Sequence, residues 1–206
     1  MTISDIAKKL LKDRKGVLSF DQTGEELSAE FALHGIPGTD EMKRMFRELV
    51  FTTENFDSYV SGVTLSDEAA RDSHPSFGLF SAYLASKNIL VGVEVGTNAP
   101  DSEVLQTLPA RLTGYGAMNV SFAEWRMSVS ALATPATDEM KESLRARIEF
   151  VKICQSKNIV PVVEIDVLSD GAHSAAQTED VISESLSLLS DLLESDGIDL
   201  KGVIIK

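Results

Sequence analysis

The chain has 206 residues, 43% of them hydrophobic and 25% charged, which is the composition of a globular domain large enough for one sizeable core. No stretch approaches the roughly 20 consecutive apolar residues of a membrane-spanning helix. A formal net charge of −13 argues against nucleic acid or an anionic membrane as partner, and it requires that any phosphorylated ligand be met by local positive charge.

The opening MTISDIAKKLLKDRKG carries an apolar stripe of Ile3, Ile6, Leu10 and Leu11 and reads as an amphipathic helix capping the core. It has no continuous apolar run, and Asp5 and Asp13 argue against a transit peptide. Strand-like runs then recur as GVLSFD, VSGVTL, ILVGVEVG, NVSFAEWRMSV, IVPVVEIDVL and a final GVIIK, in strict alternation with helical patterns. One helical pattern covers 137–158, and another covers 178–195 with Ile182, Leu186, Leu189 and Leu193 along one side. Each connection is long enough to return the chain for a parallel strand, so a sheet of βα units is expected.

TDEMK occurs at 39–43 and again at 137–141. Each copy sets Thr at an N-cap with acids in the first turn, and the flanks diverge, so it is one capping solution used twice. No linker or compositional shift marks a boundary, and residues 1–206 are expected to form a single domain. Cys154, the lone cysteine, shares a stripe with Leu144, Ile148 and Val151. It reads as a packing residue, allows no internal disulfide and suits a reducing cytoplasm.

Regular βα alternation leaves two architectures, an open doubly wound sheet and a (β/α)8 barrel. The open sheet calls for a Gly-rich phosphate loop after its first strand, and QTGEEL supplies a single glycine there. The barrel is favoured, and in a barrel chemistry gathers at the C-terminal ends of the strands. Those ends carry Asp21, Glu94, Glu124 with Arg126, Glu164 with Asp166, and finally Lys206. One such residue alone is usually a helix cap, or the point where a strand meets water. A lysine among several carboxylates suits amine-based covalent catalysis: the amine attacks a carbonyl and a carboxyl group moves the protons. His34, His74 and His173 have no paired ligand spacing, so neither a metal nor another cofactor is expected.

The segments IAKKLLKDRKGVLSFDQTG, RMFRELVFTTENFDSYVSGVTL, FAEWR, ICQSKNIVPVVEIDVLSDGAH and LKGVIIK are similar to the class I fructose-1,6-bisphosphate aldolases, from the N-terminal helix to the last residue. The resemblance implies an α/β fold of the (β/α)8 TIM barrel family, with the first six βα units present. It implies Lys206 as the Schiff-base lysine, Glu164 as the general acid/base with Asp166 in support, Asp21 in proton transfer and Arg126 in substrate binding. The implied reaction is reversible cleavage of fructose 1,6-bisphosphate, or a related ketose phosphate, to dihydroxyacetone phosphate and an aldehyde in glycolysis or gluconeogenesis. The implied setting is a cytoplasmic homo-oligomer acting on a phosphorylated sugar without a cofactor.

Two departures stand against this pattern. The family has lysines where this chain has Glu94 and Glu124; a carboxylate beside Lys206 stabilises its ammonium form and repels phosphate. A complete barrel takes about 250 residues, so the domain is expected to be incomplete at its C-terminus, as a fragment or as a shortened homologue. The rival reading is a catalytically impaired aldolase-like protein that keeps the fold as a binding or assembly module.

Overall fold

A computed structural model describes residues 1–12, 14–96 and 100–206; Asp13, weighed above against a transit peptide, lies outside them. The strands are β1 (Gly16–Phe20), β2 (Val60–Leu65), β3 (Ser73–His74), β4 (Gly78–Leu79), β5 (Leu90–Glu94), β6 (Val120–Val129), β7 (Val160–Val167) and β8 (Ile204–Ile205). Six of them form one sheet in the order β1-β2-β5-β6-β7-β8. Every neighbouring pair in it is parallel. All six strands read from the sequence are therefore present.

The strict alternation is not. After α1 (Ile3–Leu10) and β1, three helices intervene before β2: α2 (Gly24–Leu33), α3 (Asp40–Phe51) and α4 (Phe56–Tyr59). Between β2 and β5 lie α5 (Asp67–Arg71), the antiparallel β3–β4 hairpin and α6 (Phe80–Ser86). Two-residue strands are too short to show a period, so the pattern could not reveal them. Single long helices make the later crossovers: α7 (Asp101–Tyr115), α8 (Asp138–Ser156) and α9 (Ala175–Ser195). Among the described residues no helix is long and apolar enough to cross a membrane.

Local signals set the helix ends. Thr39 and Thr137, the first residues of the two TDEMK copies, accept the N–H of Met42 and Met140 with their side chains, so both copies are N-caps. Asn88, Asn119 and Asn158 adopt φ of 63°, 59° and 57° just before β5, β6 and β7. Asparagine tolerates this left-handed region, which turns the chain out of a helix and into the next strand.

The core has two layers. Alternate residues of the central strands (Val63, Leu65, Val91, Val93, Ala123, Trp125, Val163) face outward and pack under α7, α8 and α9 through Leu108, Leu144 and Leu189. On the inner side, Ile6, Ala7 and Leu10 of α1 pack against Leu90, Phe122, Val160 and Val162, closing the N-terminal end of the sheet. Gly62 and Gly92 are required there, because a Cβ on the first would strike Leu10 and on the second the Phe122 ring. Leu11, placed on the α1 stripe by its sequence, is exposed.

The α9 stripe also differs from the sequence reading. The buried residues are Val181, Ser185, Leu189 and Leu193, while Leu186 is exposed. Ser185 hides in an apolar stripe by donating its hydroxyl to the Val181 carbonyl, at 2.7 Å, which removes the cost of burying it. Cys154 is fully buried with Leu144, Ile148 and Val151, and burial pushes its thiol pKa well above the usual value.

Candidate active site

Lys206 extends β8 by one more rung, its N–H donating to Val163 O and its carbonyl accepting from Ile165 N, both at 2.9 Å. This anchors its Cα beside the stretch of β7 that carries Glu164. Side-chain alternation aims Phe122, Glu124 and Arg126 of β6 inward, with Val162, Glu164 and Asp166 of β7 on the same side. Arg126 and Glu164 are directly paired in the register, as are Ser128 and Asp166.

The Lys206 side chain reaches three partners. Its Nζ lies 2.7 Å from Glu124 Oε1, 3.2 Å from Glu164 Oε1 and 2.9 Å from Ser19 Oγ. Ser19 belongs to β1 and Lys206 follows β8, the two outer strands of the sheet. One lysine side chain spans from one edge to the other, so the sheet is curled into an open barrel. Thr64 on β2 donates its hydroxyl to Glu124 Oε2 at 2.7 Å, fully out of solvent. Arg126 completes the chain of contacts, with Nε 3.0 Å from Glu164 Oε2 and Nη2 3.0 Å from Asp21 Oδ2.

These contacts set the protonation preferences. Burial favours the neutral form of Glu124, and its contact with Glu164 adds to this; together they outweigh Lys206 and Thr64 and raise its pKa. Burial pushes Glu164 the same way, but hydrogen bonds from Glu124 and Arg126 and the Lys206 charge prevail and lower it. For Lys206, burial opposes the ammonium, yet Glu124 and Glu164 prevail and the pKa rises. The Arg126 pKa also rises: burial lowers it, but Glu164, Asp21 and Asp166 outweigh that.

Five sequence-predicted residues (Asp21, Glu124, Arg126, Glu164 and Lys206) thus form one connected cluster at the C-terminal ends of the strands. Asp166 contributes through its charge on Arg126. Glu94 pairs with Glu124 in the register, but its carboxylate turns to the loop after β5 and accepts the Gly96 N–H with both oxygens at 3.0 Å. Two cavities flank the cluster. One of about 500 Å³ lies beside Asp21, Glu26, Glu30 and Arg126. The other, about 280 Å³, lies beneath Lys206 and Glu124 on an apolar floor of Leu10, Phe122 and Val162.

Sequence reasoning missed Ser19, Thr64 and Arg147. Thr64 could have been found as the polar residue near the C-terminal end of the mostly apolar VSGVTL, and Ser19 by its two-residue offset from Asp21. Arg147, buried on the inner face of α8, stacks its guanidinium 3.9 Å from the Trp125 ring centroid and donates to the Arg126 carbonyl at 2.8 Å. Among the described residues no group of His, Cys, Asp and Glu is disposed to hold a metal. His34 lies beside Glu30, and His74 beside Glu48 with Phe77 stacked on it.

A curled parallel sheet of βα units with its polar cluster at the strand C-termini is the architecture of a (β/α)-barrel protein. Within that class the chain belongs to the class I fructose-bisphosphate aldolases, whose family model, described as "Fructose-bisphosphate aldolase class-I", matches residues 2–206. It is 28% identical to a probable fructose-bisphosphate aldolase class 1 of Xanthomonas campestris, over 99% of this chain and 64% of that one. It is 30% identical to a fructose-bisphosphate aldolase of Encephalitozoon cuniculi, over 97% of this chain and 62% of the relative. The structure of the Plasmodium falciparum fructose-bisphosphate aldolase, solved in complex with TRAP and a small-molecule inhibitor, superposes with a TM-score of 0.88 at 26% identity. That match covers 98% of this chain and 62% of the other, so the chain spans less than two thirds of these relatives.

Proposed function

We propose that residues 1–206 act as a single barrel-type domain carrying the Schiff-base centre of a class I aldolase. The observation that supports this best is the amine of Lys206 held within 2.7 Å and 3.2 Å of two carboxylates at the C-terminal end of the sheet. Imine formation needs a nucleophilic amine with a carboxyl group in hydrogen-bond reach to move protons. In this reading Lys206 attacks the ketone of a ketose phosphate such as fructose 1,6-bisphosphate. Glu164 and its neighbours handle the protons, with Asp166 adding to the field around Arg126. Asp21 assists C–C cleavage to dihydroxyacetone phosphate and an aldehyde. Arg126, partly exposed beside the 500 Å³ cavity, binds the substrate. The setting in this reading is a cytoplasmic homo-oligomer in glycolysis or gluconeogenesis.

A second reading has its own support. The ion pair between Lys206 and buried Glu124 favours the unreactive ammonium, which suits a catalytically impaired homologue retained for binding or assembly. Trapping separates the two. Incubation with dihydroxyacetone phosphate followed by borohydride should add the reduced ligand's mass to Lys206, and Lys206→Ala should abolish the adduct. Absence of any adduct on the wild-type chain would favour the impaired homologue.

A further inference from the structure

Glu124 and Glu164 both touch Lys206, but they are not equivalent bases. Glu164 binds Lys206 through Oε1 at 3.2 Å, and its Oε2 is held by the Arg126 guanidinium at 3.0 Å. Glu124 comes closer, at 2.7 Å; its second oxygen accepts the neutral Thr64 hydroxyl, also at 2.7 Å, and its remaining contact is with the Glu164 carboxyl rather than with a guanidinium. A carboxylate clamped by a guanidinium is a weak proton acceptor, whereas one held by a hydroxyl in a buried pocket keeps its basicity. Glu124 is 1% exposed, so bulk water has little access to its carboxyl.

Building on the Schiff-base reading above, we propose that Glu124, rather than Glu164, takes the proton from Lys206 Nζ and returns it to the departing oxygen during imine formation, with Thr64 as its positioning residue. The groups facing Glu124 fit this role. Lys206 comes from beyond β8, Glu164 from β7, Thr64 from β2, and its β5 register partner Glu94 has its carboxylate on Gly96 N–H. Burial and the contact with Glu164 favour the protonated form of Glu124, while Arg126 helps hold Glu164 ionised.

The step balances. The Lys206 ammonium gives a proton to the Glu124 carboxylate, leaving a free amine and a carboxylic acid. The amine lone pair attacks the ketone carbon, and the C=O π pair moves to oxygen. A proton passes from nitrogen to that oxygen, giving a neutral carbinolamine. Glu124 then protonates the hydroxyl, the C–O bond breaks to release water, and the nitrogen lone pair forms the iminium. Glu124 ends as the carboxylate, and the positive charge that began on the ammonium resides on the iminium.

The sign of one substitution tests this. If Glu124 only holds the ammonium, Glu124→Gln frees the amine and speeds trapping at neutral pH. If Glu124 is the proton carrier, the same change slows it. The readout is the rate of borohydride-trapped adduct on Lys206 with dihydroxyacetone phosphate, followed by intact mass against pH. Glu124→Gln is expected to slow trapping by about a hundredfold or more, within the usual range for a lost acid–base group, and Glu164→Gln by much less. Thr64→Val should move the acid limb of the profile to higher pH, because the lost hydrogen bond favoured the Glu124 carboxylate, and Thr64→Ser should restore it. The Thr64 pair decides the matter if Glu124→Gln loses its fold by circular dichroism. An unchanged or faster rate in Glu124→Gln, or an unmoved profile in Thr64→Val, overturns the assignment while the Schiff-base reading stands. No Lys206 adduct on the wild-type chain overturns both.

Discussion

Glu124 is costly where it stands. Its carboxyl is buried among Thr64, Glu164 and Lys206, and the net effect favours the proton more than water does. A carboxyl whose folded pKa is raised is most compatible with folding below its ordinary value, and stability is lost as pH rises through the folded pKa. Glu124→Gln should therefore stabilise the chain at pH 7 and lose that advantage below about pH 4, where Glu124 is protonated in the folded and the unfolded chain alike. Urea midpoints of the two proteins at both pH values check this; a wild-type chain more stable than the variant at pH 7 would contradict it. Such a gain on removing a site residue is the usual trade between activity and stability. Arg147 lies one step behind the Lys206 cluster. Its stacking on Trp125 and its hydrogen bond to the Arg126 carbonyl fix the backbone from which Arg126 reaches Asp21 and Glu164. Arg147→Met keeps the packing stem but loses this bond together with the Asp101 ion pair, so it should destabilise the chain by about 1–3 kcal/mol in chemical denaturation.

Helix α1 shows what one element does for the site. Its inner residues plug the N-terminal end of the curled sheet and floor the cavity beneath Lys206. Leu10→Ala is expected to cost about 2–5 kcal/mol, the range for a buried leucine that leaves a cavity, read as a lower urea midpoint. A loss below 1 kcal/mol would mean that α1 is not part of the cooperative core. The strands behind this arrangement were legible because apolar runs carried chemically unusual residues: GVIIK Lys206, VVEID Glu164 and Asp166, FAEWR Glu124 and Arg126. Alternation alone then set Glu124 with Arg126, and Glu164 with Asp166. What stayed hidden had no periodic signal. The β3–β4 hairpin is too short, Ser185 disguises the buried face of α9, and Thr64 acquires its role only when β2 and β6 are brought together across β5. The direction of the Glu94 carboxylate likewise depends on the loop that follows it rather than on its strand position.

At the scale of the whole molecule, the curled sheet has two free edges. Among the described residues β1 pairs only with β2 and β8 only with β7, so each offers one row of unpaired backbone groups. The rims are apolar as well: Val17 is 41% exposed, Ile205 is 43% exposed, and both line the cavity under Lys206. An edge strand with exposed β-branched residues is a template for pairing with another chain. Opposing this is the net charge of −13, which makes copies repel one another. The two effects respond differently to salt. Repulsion between chains is screened over a Debye length of about 30 Å at 0.01 M but about 8 Å at 0.15 M, whereas strand pairing and apolar burial are not weakened. The isolated chain is therefore expected to move from small species at low salt toward oligomers or aggregates at physiological salt, seen as a rising mass in light scattering after size-exclusion chromatography. Replacing Val17 and Ile205 with lysine should suppress the rise, because charged edges resist pairing. A chain that stays a monodisperse monomer at both salt concentrations and unfolds in one cooperative step would show that the open edges of this sheet are not adhesive.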